Sequence, residues 1–158
     1  MVRLAESVEA ILDAMVTAIS AQTDPGGVLQ DLATVVRGDR ARPMPKLPSL
    51  WIVPEPASND QTTLGLAESW SMRVRLAALV KADDPDAAGR LAVRLAADAR
   101  AAVLGYTVAG VNGRRLGLAY VNDVVTATFD ASSQRSPGNR TLVWSEAIVA
   151  VRWRTDGT

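Results

Sequence analysis

The stretch that decides the fold is LGLAESWSMRVRLAALV, residues 64–80. Apolar side chains occupy most of its even positions, whereas glycine, serine and arginine occupy most of the odd ones. A period of two sustained over this length predicts a β-strand with one buried face and one wet face, and Arg73 and Arg75 fall on the wet face. Glu68 is the single charged residue in the apolar register, so we expect it near a strand end, at a bulge or beside a partner.

The residues that follow this strand predict a helix packed against it. Asp83-Asp84-Pro85 supplies a capping carboxylate and a proline suited to the first turn, and Gly105 is a natural stop. The apolar residues between them recur at three- and four-residue steps, and many are alanines, which allow close approach to a sheet. Arg90, Arg94 and Arg100 are predicted to point away from this face.

The last third of the chain is predicted to return to strands. We expect a short strand at 108–111 turned by Asn112-Gly113, and longer strands at 118–129 and 141–154, with a loop at 131–139. One face of the final strand carries Val143, Ala147, Val149, Val151 and Trp153, and the other carries Trp144, Glu146, Ile148, Arg152 and Arg154.

The residues before the central strand predict an amphipathic helix and short extended segments. Residues 3–21 carry an apolar stripe at helical spacing, with Glu6, Glu9 and Asp13 off the stripe. A short strand is predicted at 32–37.

The residues between this strand and the central one are rich in proline and polar side chains. Three prolines predict an extended loop at 38–48, followed by a strand at 50–53 and a turn or mobile loop at 57–63. The order of elements predicts an α+β fold, with an antiparallel sheet of about four to five strands and two helices on one face. We expect a single domain spanning 1–158.

The composition narrows the classes of function. The chain has 158 residues, 17 basic and 17 acidic side chains, and no cysteine or histidine. Neutral charge argues against a general nucleic-acid or membrane binder. The missing residue types exclude disulfides, thiolate nucleophiles, a Ser-His-Asp triad and His- or Cys-based zinc sites. The sequence predicts neither a signal peptide nor a membrane helix, so we expect synthesis in the cytosol.

Other candidate sites have simpler structural interpretations. The stretch 110–113 lacks the ending of a phosphate-binding loop and reads as a hairpin turn. Asp83, Asp84 and Asp86 lack the spacing of a calcium loop and read as helix caps. Nothing in the sequence pairs the remaining acids that could serve hydrolysis, which are Glu55, Asp60, Glu68, Asp123 and Glu146.

Arginine usage points to an interaction surface. The chain has 15 arginines and two lysines, a bias that genomic GC content alone could also produce. Arginine is enriched at protein interfaces, and the first helix is conversely acidic. Surfaces of opposite sign on a neutral chain suit head-to-tail self-association into a ring. The candidate interaction residues are Arg37, Arg40, Arg42, Lys46, Arg73 and Arg75.

Several short motifs, taken in the order in which they occur along the chain, resemble those of a known protein family. Gly-Asp-Arg-x-Arg-Pro-x-Pro-x-Leu-Pro-x-Leu spans 38–50, Gly-Leu-x-Glu opens the long strand at 65–68, and Ser-Glu-Ala-x-Val-x-Val-Arg closes the chain at 145–152. With the N-terminal helix and the alanine-rich helix after Asp-Asp-Pro, the chain resembles the tail terminator (tail completion) proteins of long-tailed bacteriophages, a group that includes the minor tail protein U of lambda.

The resemblance implies a structural virion protein and not an enzyme. Such proteins form a homohexameric ring that caps the tail tube, ends its polymerisation and joins the tail to the head. The implied partners are further copies of the chain, the major tail tube protein and the head–tail connector or stopper, with no cofactor, no membrane and no specific nucleic acid. The resemblance places the chain at the head-proximal end of the virion tail, with the loop around Arg40 and Arg42 facing the lumen or a neighbouring ring. Alternatives are another neck or tail ring, such as a head-completion or tube-like subunit, and a small ligand-binding α+β domain that uses carboxylates.

Overall fold

A computed structural model of the chain describes residues 3–38, 43–63, 67–105, 116–136 and 139–155. Within these ranges two helices and a seven-stranded sheet form the α+β fold that the sequence predicts. The helices are α1 (Leu4–Ser20) and α2 (Pro85–Leu104). The strands are β1 (Thr34–Arg37), β2 (Ser49–Pro54), β3 (Ser58–Thr63), β4 (Ala67–Lys81), β5 (Val121–Phe129), β6 (Gln134–Ser136) and β7 (Asn139–Thr155).

Two long antiparallel strands, β4 and β7, form the centre of the sheet. They pair from Glu68 opposite Thr155 to Lys81 opposite Leu142. The strand order is β1-β2-β4-β7-β5, with β3 pairing to the first part of β4 and β6 to the first part of β7. The two ends of the main path are therefore β1 and β5.

The sheet differs from the expected one in strand number and direction. It has seven strands among the described residues instead of four to five, and it is mixed because β1 runs parallel to β2. Parallel neighbours require the chain to cross back before the second strand begins. The Pro-rich stretch between β1 and β2 provides that crossover, which sequence patterns of single segments do not reveal.

Two segments expected to be loops contain strands. The polar residues 57–63 include β3, and the predicted loop at 131–139 includes β6 and the first residue of β7. Neither segment has alternating apolar side chains, and both are held by backbone pairing to a long central strand. The predicted strand at 108–111 and its Asn112-Gly113 turn lie outside the described residues.

Both predicted helices are confirmed, and α2 has the predicted signals at its two ends. The Asp84 carboxylate accepts hydrogen bonds from the backbone N–H groups of Asp86 at 3.1 Å and Ala87 at 3.5 Å. Gly105 follows the helix with φ of 73°, a left-handed conformation that glycine adopts without strain.

Replacing Asp84 by alanine removes the cap and is expected to lower the free energy of unfolding by about 1 kcal/mol. Equilibrium urea unfolding measures the change. Asp83→Ala is the matched control, since Asp83 is also exposed and lies one residue earlier. If both variants lost the same free energy of unfolding, the effect would come from the removed negative charge and not from the capping hydrogen bonds.

The hydrophobic core lies between the sheet and both helices. The even residues of β4 from Met72 to Val80 are buried with Ile11 and Met15 of α1 and Leu95 and Ala99 of α2. α1 packs against β1, β2 and α2, whereas α2 packs mainly against β7, β4 and β5. The helices therefore cover one face side by side, with α2 towards β5 and α1 extending from Trp153 of β7 to β1. None of the helices within the described ranges is long and apolar enough to cross a bilayer.

Candidate interaction surface

Arg37 is the predicted site residue whose position departs most from a surface role. Its side chain is 5% exposed and reaches from β1 to α1. Its Nη1 donates to Glu9 Oε2 at 2.8 Å and to Asp13 Oδ1 at 3.0 Å, and its Nη2 donates to Glu9 Oε1 at 3.3 Å. Arg37 therefore links a helix to the first strand inside the molecule.

The other basic residues of the Pro-rich stretch are described only in part. Arg40 and Arg42 lie outside the described residues. Lys46 is exposed, and its backbone carbonyl accepts a hydrogen bond from Thr34 Oγ1 at 3.1 Å. This contact attaches the end of the loop to β1 and leaves the Lys46 ammonium group on the surface.

Arg73 and Arg75 lie on the sheet face opposite the helices, as predicted. We call this the bare face, and it is formed by the odd residues of β4 and their neighbours. The two arginine side chains are 50% and 49% exposed, and both approach Glu55, with Nε–O distances of 3.8 Å and 3.3 Å. One carboxylate on this part of the bare face therefore serves two guanidinium groups.

Another part of the bare face carries two tryptophans and two aliphatic side chains, next to Glu146. Trp51 on β2 pairs with Ala77 on β4, and Trp144 on β7 pairs with Leu79. All four are partly exposed and lie outside the core cluster between sheet and helices. Directly opposite residues of neighbouring strands point to the same side. The two indoles and the two aliphatic side chains therefore form one strip, which we call the tryptophan strip.

The edge strand β5 is exposed on both sides. After Val124 every residue of the strand is exposed, and two of its apolar side chains are prominent, Val125 at 41% and Phe129 at 38%. Pairing places Val125 beside Ala150 on the bare face, and Phe129 beside Ala147 on the helix side. The run from Val124 to Phe129 has no charged residue, proline or glycine.

Arg100 of α2 covers the helix side of this edge, and it does not point away as the sequence suggests. Its Nη1 donates to Thr126 Oγ1 at 3.0 Å, and its guanidinium carbon lies 5.9 Å from the centre of the Phe129 ring. The buried Nε has no hydrogen-bond partner among the described residues. An unmet buried donor is unfavourable to stability.

A shallow polar cavity of about 330 Å³ brings together two of the acids singled out in the sequence. Asp60 and Asp123 both line it, with Arg152. Arg152 Nε donates to Asp123 Oδ1 at 2.9 Å, and Asp60 Oδ1 accepts from Ser71 Oγ at 2.9 Å. The hydrogen bond and charge of Asp123 raise the pKa of Arg152, and the charge of Asp60 adds to this effect. The two acids thus flank an arginine.

The other three acids lie apart from this cavity. Glu55 accompanies Arg73 and Arg75, whereas Glu68 lies near the start of β4 and accepts a hydrogen bond from Trp70 Nε1 at 3.1 Å. Glu146 is on the bare face opposite Ala77. Within the described ranges, no three His, Cys, Asp or Glu side chains come together as metal ligands would.

A larger surface depression of about 550 Å³ lies between the first half of α2 and residues 131–133. Arg90 and Arg94 line it with Ser132 and Ser133. Arg94 forms an ion pair with Asp31, so part of its charge is matched within the chain.

Sequence reasoning missed the tryptophan strip, and it did not identify which strand forms the exposed edge. The signal for the strip was present, because Trp144 and Ile148 share a face with Glu146 and Arg152 in the final strand. Trp51 could not be added to it without the register of β2 on β4. The position of β5 at the end of the sheet also depends on strand order, which its own sequence does not encode.

No protein-family model matches the chain, and no curated protein matches it significantly.

Proposed function

We propose that this chain is a structural virion protein, a tail terminator whose copies form a ring that caps the tail tube, ends tube polymerisation and joins the tail to the head connector. The observation that carries the proposal is the bare face of the sheet, where the tryptophan strip lies beside Arg73 and Arg75. Partly exposed tryptophans next to arginines are typical of protein–protein contacts.

The order of elements gives a second line of support. The described fold has the N-terminal helix, Pro-rich crossover, long central strands and alanine-rich helix on which the resemblance to tail terminators rests. It also has unlike surfaces on opposite sides, with helices on one side and the bare face on the other. A subunit of a closed ring uses two different surfaces to contact its two neighbours.

The polar cavity around Arg152 favours a structural role over hydrolysis by paired carboxylates. General acid–base chemistry with two acids requires one to be held protonated or both to converge on a substrate. Asp60 and Asp123 instead lie around a guanidinium group whose charged form they stabilise. This arrangement is that of an ion-pair network on a sheet surface.

Particles assembled without this chain are expected to have overlong tails or tails that are not joined to heads. Negative-stain electron microscopy measures the distribution of tail lengths and the fraction of joined particles. Supplying the chain in trans should restore both, and a variant that is folded but cannot self-associate should not.

The same images distinguish the alternative roles. Heads that leak DNA, with tails of normal length, would indicate a head-completion protein. An absence of tubes would indicate a tube-like subunit. Normal particles would contradict a role in the virion.

A further inference from the structure

We propose that the bare face binds the bare face of a second copy, so that the free chain forms a weak two-fold dimer in solution. The two-fold axis passes near Ala77, and Glu146 of each copy lies against Arg75 of the other. This inference goes beyond the ring, because it concerns the chain before it meets a tail tube. It shares with the proposed function only the premise that the bare face is a contact surface.

The first argument is the apolar surface that the isolated chain leaves on this face. Trp51, Leu79 and Trp144 are partly exposed there, and so is Val53, which lies two residues beyond Trp51 on β2. Indole side chains stabilise a contact strongly when they become fully covered, and they are enriched at the centres of protein interfaces. A sheet face can be covered by another sheet face, since the side chains of two stacked sheets interdigitate.

The second argument is the distribution of charge around the tryptophan strip. Glu146 is partly exposed opposite Ala77, and it forms no ion pair among the described residues. Arg75 lies opposite Ile148, is 49% exposed, and donates to Glu55 only through Nε. The strip is therefore flanked by a carboxylate and a guanidinium group. A face that carries both signs of charge can pair with a copy of itself, whereas a partner of one sign would meet a like charge.

The third argument is the register of the two central strands. Ala77 pairs with Glu146 across the strands and lies two residues from Arg75 along β4. A two-fold axis in the interface beside Ala77 exchanges the positions of Glu146 and Arg75, so a single approach forms their contact twice. The spacing of strands and residues then places Trp144 of one copy near Val53 of the other. The small side chain of Ala77 lets the two sheets approach closely at the axis.

The size of this contact predicts a weak dimer. The exchange of Glu146 and Arg75 requires the strands of the two sheets to cross steeply, as in orthogonal sheet packing. Four neighbouring strands span about 20 Å, so the crossed sheets overlap over about 20 Å by 20 Å. Interfaces of this size are typical of transient complexes. The dimer therefore covers the tryptophan strip in the free chain and can be displaced when a tail tube offers a larger contact.

A charge swap across the axis tests the contact. Sedimentation equilibrium of the native chain at high concentration is expected to show a reversible dimer. Glu146→Arg and Arg75→Glu are each expected to weaken it about tenfold or more, because like charges then face each other. The double variant restores both ion pairs and is expected to dimerise nearly as well as the native chain. Arg90→Glu is the matched control, since Arg90 is exposed on α2, on the other side of the sheet.

Single cysteines give an independent measurement. The chain has no cysteine of its own, and in a two-fold dimer a residue near the axis faces its own counterpart. Ala77→Cys is therefore expected to give covalent dimers with a short bismaleimide. Thr17→Cys is the control, because Thr17 is exposed on α1 in the helix layer and is expected to remain monomeric under denaturing electrophoresis.

The outcomes separate the dimer from the tail-terminator role. A native chain that stays monomeric at its highest soluble concentration would overturn the dimer, and so would a double charge variant as weak as the single ones. If such a chain still restored tail length in trans, the tail-terminator proposal would stand without the dimer. Covalent dimers of Ala77→Cys, with particles that assemble normally in the absence of the chain, would support the dimer and contradict the tail role. Circular dichroism checks that all variants are folded.

Discussion

Replacing Trp153 by alanine is expected to lower the free energy of unfolding by about 3–5 kcal/mol, the largest loss for any single tryptophan. Trp153 is completely buried, and it is the largest of the fully buried side chains. It lies on β7 between Trp70 of β4 and Val121 of β5. Truncation would leave a cavity where the central sheet meets α1, and a closely packed interior fills such a cavity only in part.

The indole of Trp153 also holds α1 through a hydrogen bond. Its Nε1 donates to Ser7 Oγ at 2.9 Å, and Ser7 Oγ donates to the Leu4 carbonyl at 2.7 Å. Trp153→Phe keeps most of the apolar volume and removes this donor, so we expect a smaller loss of about 1–2 kcal/mol. Urea unfolding followed by far-UV circular dichroism measures both variants, and hydrogen exchange of α1 amides reports the loosened helix.

Trp144→Ala is the matched control, because Trp144 is on the same strand but on the bare face. It is partly exposed, and its removal is expected to cost about 1 kcal/mol or less. The same variant should weaken ring formation, since Trp144 belongs to the tryptophan strip. If Trp144→Ala destabilised the isolated chain as much as Trp153→Ala, the strip would be part of the core and the bare face would not be a contact surface.

Local patterns predicted the elements that are long and strongly periodic. The alternation before Val80 predicted β4, and the caps at Asp84 and Gly105 predicted the ends of α2. In each case the residues that determine the element lie within it. The sequence therefore predicted the α+β class and the arrangement of both helices on one face.

Local sequence patterns did not predict the features that depend on pairing between segments far apart in the chain. β3 is polar and exists because it pairs with the start of β4, and β1 runs parallel to β2 because the chain crosses back between them. The role of Arg37 has the same cause. In the sequence it is one of several basic residues near prolines, and only the packing of α1 on β1 brings it to Glu9 and Asp13, which lie 28 and 24 residues away.

Reversing the charge of Arg37 is expected to destabilise the isolated chain strongly. Arg37→Glu would place a third carboxylate beside Glu9 and Asp13, in a position where the native side chain is 5% exposed. A buried charge without a partner typically lowers the free energy of unfolding by about 3–5 kcal/mol. Because Glu9 and Asp13 are themselves exposed, we expect a loss at the lower end of this range.

Arg73→Glu is the control that separates an internal link from a surface contact. Arg73 is 50% exposed and 3.8 Å from Glu55, so its reversal is expected to change the stability of the monomer by about 0.5 kcal/mol or less. Its effect should appear in ring or particle assembly instead. If Arg37→Glu had the native free energy of unfolding, the ion pairs between Arg37 and α1 would contribute little to stability. Arg37 would then remain a candidate interaction residue, as the sequence predicts. If the Arg73→Glu chain were stable and still assembled, Arg73 would not be an interaction residue.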